Sequence, residues 1–204
     1  MDHSGRMRDP LAGYVRGPAA ATEATAVALT RASDADVVVL VEGISDQIAV
    51  ETLAPRLGLD LAAAGIAVLP TGGAHAIGRY LRRFATARLA VLCDAGEAHL
   101  IDHGLADLGV FVCDHDLEDE LIRAAGLPLV QEVLAAHGDL AAFRIIQRQP
   151  AWRGKPETAQ LRRFLAAGSQ RKLRYARLLT EAVPLSRMPR PLTALLHRVS
   201  TAGG

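Results

Sequence analysis

The sequence predicts an α/β fold: a parallel sheet of about four strands flanked by helices, followed by an all-helical C-terminal extension. Three observations predict it. Four short, continuously apolar runs, VVVLV from Val37, IAVLP from Ile66, LAVLC from Leu89 and VFVC from Val110, read as strands buried on both faces. Segments of helical character separate them, an alternation that produces parallel strands joined by crossovers. After Leu127 the chain reads as helical throughout, with Pro128, Pro150, Pro156, Pro184, Pro189 and Pro191 marking helix boundaries.

Taken in order, residues 1–18 mix Gly, Pro, Arg and Asp without periodicity and read as a loose arm. Ala19 to Arg31 can form a helix. VVVLVE is the first strand, and Ser45 to Leu57 the helix after it, where Ser45 suits a cap and Asp46 suits the positive N-terminal end. IAVLP is the second strand. PTGGAHAIGRY then turns into a helix over Ala74 to Ala85; Gly73 and Gly78 have the spacing of a phosphate loop, but Arg79 and Tyr80 replace the Lys and hydroxyl that such a loop needs. A Gly-rich turn beside the crevice is the reading that remains. RLAVLCD is the third strand, Ala98 to Leu108 a helical stretch, GVFVCD the fourth strand, and Asp116 to Ala125 begins the next helix. The expected organisation is an N-terminal arm and helix (1–35), an α/β domain (36–126) and a helical extension (127–204).

With 204 residues, half of them apolar, the chain can bury one sizeable core. No apolar run approaches the roughly 18 residues of a membrane span, and LAGYV near the start is too short for a signal peptide. A cytoplasmic protein is the expectation. Cys93 and Cys113 end strand-like runs without a CxxC and read as buried thiols; His75, His99, His103 and His115 lack the paired spacing of a zinc site. Net charge is only +1, yet residues 34–147 carry 17 acidic against 7 basic side chains, and residues 148–204 carry 2 against 12. An acidic region beside a cationic one suits a polyanion held by the second while chemistry proceeds at the first. Arg as a merely solvated residue type is the plainer account.

The acids that matter end the strands: Glu42 and Asp46 after the first, Asp94 with Glu97 after the third, Asp116 and Glu118 after the fourth. In a doubly wound sheet these positions converge on one crevice. Glycine at Gly43 allows a tight turn, so Glu42 and Asp46 can face one point. Asp114, Asp119 and Glu120 crowd the last group as alternative ligands. Such a density of carboxylates favours hard metal ions over a merely solvated helix start.

VLVEGISDQIAVETLA, IAVLPTGG, LAVLCDAGE and DLEDEL, in that order, resemble the Toprim domain in the version found in OLD-type (overcoming lysogenization defect) nucleases; the resemblance spans Val37 to Val199. It implies a Toprim-like (Rossmann-like) sheet, shared with topoisomerases and primases, and Mg2+ or Mn2+ held by Glu42, Asp46, Asp94, Glu97, Asp116 and Glu118. It also implies a lysine in the helical part: GSQRKLRYARLL puts Lys172 forward, with Lys155 in RGKPE as substitute. The resemblance departs at the DxD motif, where Gly96 stands in the second Asp position and leaves Glu97 to take its place. It also implies a freestanding Toprim protein without the ATPase domain that precedes Toprim in OLD proteins, or one that relies on a separate ATPase partner.

The expected function is a metal-dependent nuclease, or related phosphodiester-transfer enzyme, acting on DNA or RNA through one or two ions. Glu42, Asp46 and Asp94 would bind one ion and Asp116 with Glu118 the other, Glu42 and Lys172 would act on the reaction, and Arg162, Arg163, Arg171, Arg174 and Arg177 would grip the backbone. The alternatives are a catalytically degenerate Toprim module that binds nucleic acid or an ATPase partner, and a phosphotransfer domain with Asp94 as acceptor.

Overall fold

The computed structural model describes residues 9–14, 19–84, 87–101 and 106–202. Four strands, β1 (Val37–Val41), β2 (Ile66–Pro70), β3 (Arg88–Asp94) and β4 (Gly109–Cys113), form one sheet in the order β2-β1-β3-β4. All pairings are parallel, with Val39 opposite Val68 on one side and Ala90 on the other. The chain leaves β1 toward one edge and returns past it to β3, so the winding reverses between β1 and β3. That reversal opens a crevice at their carboxyl ends.

In β1, β2 and β3 the apolar runs are continuous because both faces are covered, whereas β4, expected to be buried on both faces, is an edge strand only partly covered, with Val112 exposed. Val37, Val39 and Val41 point into one core with Ala90 and Leu92, whereas Val38 and Leu40 join Leu69, Leu89 and Val91 in the other. Helices α1 (Ala20–Ala32) and α3 (Ala74–Arg83) cover the second face through Ala28, Ile77 and Leu81. Helix α2 (Ile44–Arg56) covers the first, and the rest of the chain builds on it: α4 (Leu117–Ala136), α5 (Leu140–Arg148), α6 (Glu157–Ala166), α7 (Ser169–Ala182) and α8 (Arg190–Ser200). Phe143, Phe164, Tyr175 and Leu192 belong to the same core as the strands, so the C-terminal helices share the sheet's interior. Arg56 ties the far ends of α2 and α7 together by donating to the Thr180 and Val183 carbonyls.

Three further expectations need correction. The stretch from Ala98 to Leu108 is not a continuous helix: a single 3-10 turn spans Ala98–Leu100, Ile101 is extended, and Asp107 is drawn away to accept from the Leu89 N–H at 2.6 Å. Residues 102–105, with His103, lie outside the described residues. The arm is not loose over 9–14, because Leu11 is buried among Ala24, Ile48 and Leu173, and the Tyr14 hydroxyl donates to Glu51 at 2.7 Å. Finally, α2 starts one residue before Ser45, with Gly43 as its N-cap. Elsewhere the prolines mark boundaries as expected: Pro128 follows a break in α4 at Gly126, Pro156 and Pro189 cap α6 and α8, and Pro184 follows α7. Cys93 and Cys113 are buried and unpaired. Among the described residues, no helix is long and apolar enough to cross a membrane.

Gly65, just before β2, has φ of 64°, and its carbonyl accepts from the Asp36 and Val37 N–H groups. A Cβ there would lie 2.6 Å from Asp36 Oδ2, whereas one at Gly58, also at positive φ, would meet nothing. We expect Gly58→Ala to lose about 1–2 kcal/mol from the left-handed backbone alone. Gly65→Ala should lose more, by urea denaturation of both variants.

Candidate metal centre

Glu42 follows the last residue of β1, and Asp94 ends its neighbour β3. Because the strands are parallel and adjacent, the Asp94 N–H donates to Glu42 Oε1 at 2.8 Å. The Glu42 carbonyl in turn accepts from the Gly72 and Gly73 N–H groups at 3.1 and 2.9 Å, which folds the Gly-rich turn after β2 down over the β1 end. Both glycines have positive φ, 82° and 120°, which this turn requires. Gly73, the N-cap of α3, spends its N–H on that contact. His75, His99 and His115 are exposed.

Asp46 lies at the third position of α2 and caps it from within, its Oδ2 accepting from the Gly43 N–H at 2.9 Å. Asp116 is the N-cap of α4, its Oδ1 accepting from the Asp119 N–H at 2.7 Å. Its other oxygen pairs with Arg162 of α6 at 2.6 Å. Glu118 pairs with Lys172 of α7 at 3.2 Å. The packing of α7 against α2 and α4, and of α6 against α4, brings these cations to the acids.

The structure thereby sorts the acids after β4. Arg123, one helical turn along α4, pairs with Asp119 at 2.8 Å, Glu120 at 3.1 Å and Asp114 at 3.5 Å. The three alternative ligands are thus engaged elsewhere. Arg123 escaped the sequence reading, although its spacing of three and four residues from Glu120 and Asp119 is the signal for such a pair. Glu97, after the turn that follows β3, lies against Glu42: burial foremost, then the neighbouring Glu97 carboxyl, pushes the Glu42 pKa up to about 8. Asp94 rises to about 7 through burial and the charges of Asp46, Asp116, Glu118 and Glu97, and Asp46 to about 6 through burial and Glu118, with Lys172 opposing. The charges acting on Glu42 are therefore Asp94 and Glu97; Asp46 stands instead with Glu118 and Lys172.

Of the five arginines proposed for backbone contacts, Arg162 stands in the acid cluster itself. Arg171 stacks over Phe164 at 4.2 Å and donates to the last carbonyls of α6, Arg174 pairs with Asp139, and Arg177 pairs with Glu181 at 2.8 Å. Arg163 is exposed, as is Lys155.

The donor set suits a hard divalent cation. It is all carboxylate oxygen, it carries excess negative charge, and Glu97 Oε2 is buried without a hydrogen-bond partner. Among the described residues, no three His, Cys, Asp or Glu side chains are already gathered to hold an ion, so an ion would draw these carboxylates inward.

Residues 35–94 match the family model for the OLD-like (overcoming lysogenization defect protein-like) TOPRIM domain. Solved structures of OLD C-terminal regions share the fold across most of the chain. The mercury-phased C-terminal region of the Xanthomonas campestris pv. campestris OLD protein is 25% identical, covering 83% of this chain and 96% of its own, with a TM-score of 0.59. The Burkholderia pseudomallei OLD C-terminal region is 19% identical, covering 83% and 99%, with a TM-score of 0.60. No curated protein matches.

The raised pKa values carry a sign. The folded protein holds these three protons more tightly than the unfolded chain, whose carboxyls titrate near pH 4. Their contribution to stability is complete below that pH and is lost as pH rises through about 6, 7 and 8 for Asp46, Asp94 and Glu42. In EDTA, the unfolding temperature should fall progressively from about pH 4 to about pH 8 and level off above it. Glu42→Gln should flatten that fall, as read by calorimetric scans across the range.

Proposed function

We propose that this protein is a Mg2+- or Mn2+-dependent nuclease, or related phosphodiester-transfer enzyme, acting on DNA or RNA. The observation that carries the reading is the convergence of Glu42, Asp94 and Glu97 with Asp46, Asp116 and Glu118 at the carboxyl edge of a Toprim-type sheet, beside Lys172 and Arg162. One or two divalent ions held by those six carboxylates would supply Lewis acidity, making bound water a nucleophile at neutral pH and polarising a phosphoryl oxygen. Glu42 shapes the edge through its bond to the Asp94 N–H. Lys172, fixed beside Glu118, offsets negative charge growing on the phosphate.

We read residues 36–126 as the Toprim unit and 127–204 as the extension that delivers the cations. Of the five arginines, Arg163 is the exposed one and can reach a nucleic-acid backbone, as can the exposed Lys155, while Arg171, Arg174 and Arg177 hold the fold that presents them. A catalytically degenerate module that binds nucleic acid or a separate ATPase partner is the second reading, favoured by Gly96 in place of the second DxD aspartate. A cytoplasmic location accords with either.

Plasmid and single-stranded oligonucleotide cleavage should require Mg2+ or Mn2+ and stop with EDTA. Glu42→Ala and Asp116→Ala should abolish it, and Lys172→Met should lower the rate by about 10²–10³-fold. Intact substrates with the folded wild-type protein and either metal, alongside retained DNA binding in a gel-shift assay, would instead establish the second reading.

A further inference from the structure

We propose that α3 carries a second contact surface for the nucleic-acid backbone, on which Arg79, Arg82 and Arg83 hold phosphates on the opposite face of the sheet from α6 and α7. The proposal rests on the nucleic-acid reading above and adds the path that a strand takes across the carboxyl edge.

Charge singles this helix out. Residues 34–147 carry 7 basic side chains against 17 acidic ones, yet residues 61–93 hold Arg79, Arg82, Arg83 and Arg88 and no acid at all. Arg88 pairs with Asp107. The other three are exposed, and among the described residues none of them pairs with a carboxylate. A helix face that only met solvent in so acidic a region would carry both signs.

The spacing of three and four residues from Arg79 puts Arg82 and Arg83 on its side of the helix, and the exposed His75 heads the same side. Ile77, Tyr80, Leu81 and Phe84 occupy the other side and are buried in the core under the sheet. That burial argues against a lipid surface as the partner, because the apolar side that would enter a bilayer is already used. Gly78 lies beside the arginines, and a Cβ there would meet only Arg82 Nη1, at 3.8 Å, so nothing else in the described chain packs on the helix at that point.

Two of the guanidinium groups are held before any ligand arrives. Arg79 lies over the Tyr80 ring at 4.9 Å and donates to its hydroxyl at 3.2 Å, and Arg83 lies over the Phe84 ring at 5.7 Å. Each keeps further N–H donors for phosphate oxygens. The helix also starts at the site: Gly73, its N-cap, and Gly72 both donate to the Glu42 carbonyl. From Gly73, Arg79 lies about 9 Å and Arg83 about 15 Å along the axis. That length matches about three or four phosphates of one strand at about 3.4 Å each. A strand lying on α3 therefore reaches the carboxylates directly and continues toward Arg163 and Lys155 on the other face.

The test is fluorescence-anisotropy binding of the full chain to a labelled single-stranded oligonucleotide across a range of salt, in EDTA and again with Ca2+. In the triple variant Arg79→Ala, Arg82→Ala, Arg83→Ala, the slope of log K against log salt should be smaller by about 2, at about 0.7 per phosphate contact. Affinity at about 0.1 M salt should fall on the order of a hundredfold, equally for unrelated sequences. Arg198→Ala, at an exposed position of α8, should bind as wild type does. Circular dichroism checks folding, and Arg82→Glu, which touches no ring, replaces the triple variant should that one not fold and should likewise weaken binding. A folded triple variant with the wild-type slope and affinity would overturn the proposal and leave the nuclease reading to the cleavage assay. Binding to phosphatidylserine vesicles that this variant loses, with binding to the oligonucleotide unchanged, would assign the face to lipid and overturn it too. A folded wild-type protein that binds no oligonucleotide in either condition would overturn both this surface and the nucleic-acid reading.

Discussion

The geometry at the carboxyl edge depends on Glu42. Its side chain accepts the Asp94 N–H of the neighbouring strand, and its carbonyl accepts two N–H groups from the turn after β2. One residue thus ties together the ends of β1, β2 and β3. A carboxylate in that position is held by backbone donors rather than by a cation, so its direction is set while its charge is not fully answered. Neutral polar side chains would meet the same geometric demand at lower electrostatic cost. That a carboxylate stands there instead, next to Asp94 and Glu97, is what turns a sheet edge into a site that favours positive charge.

The C-terminal helices have a second effect beyond covering the sheet. They bury Phe143, Phe164 and Tyr175 in the same core as β1, which makes them rigid with respect to the strands. Lys172 and Arg162 ride on that rigid body, so their distance from Glu118 and Asp116 is a property of core packing. Cationic residues on a loop would pay more conformational entropy to hold the same positions. The clustering of Arg and Lys in the last third of the sequence therefore has two sources. Part of it serves the acid cluster, and part of it pins helix ends and aromatic rings, as Arg171 does at the end of α6.

Much of the fold was legible in the chain because its signals are local. Strands buried on both faces must be apolar at every position, and VVVLV, IAVLP and LAVLC state that without help from the rest of the molecule. Prolines likewise mark helix boundaries at Pro156, Pro184 and Pro189, although Pro55 lies within the last turn of α2. The exceptions have local appearances and distant causes. Leu11 is buried because α2 and α7 form a cleft for it, and the helical turn from Ala98 ends at Leu100, with Ile101 extended and Asp107 bonded to the Leu89 N–H at the start of β3.

The sequence by itself determined which residue types stand at the strand ends, and hence that six carboxylates would crowd one edge of a parallel sheet. Only the tertiary structure decided how they divide. Asp114, Asp119 and Glu120 are indistinguishable from Asp116 and Glu118 in a string of letters, and they separate only when Arg123 claims the first three and α6 and α7 bring Arg162 and Lys172 to the others. Glu42 and Asp46 looked like partners four residues apart, yet the helix turns Asp46 toward Glu118 while Glu42 stays with Asp94 and Glu97. The physical reason is that residue identity and local periodicity act over a few residues of chain, whereas the interactions that sort charges act through space between elements that only folding brings together.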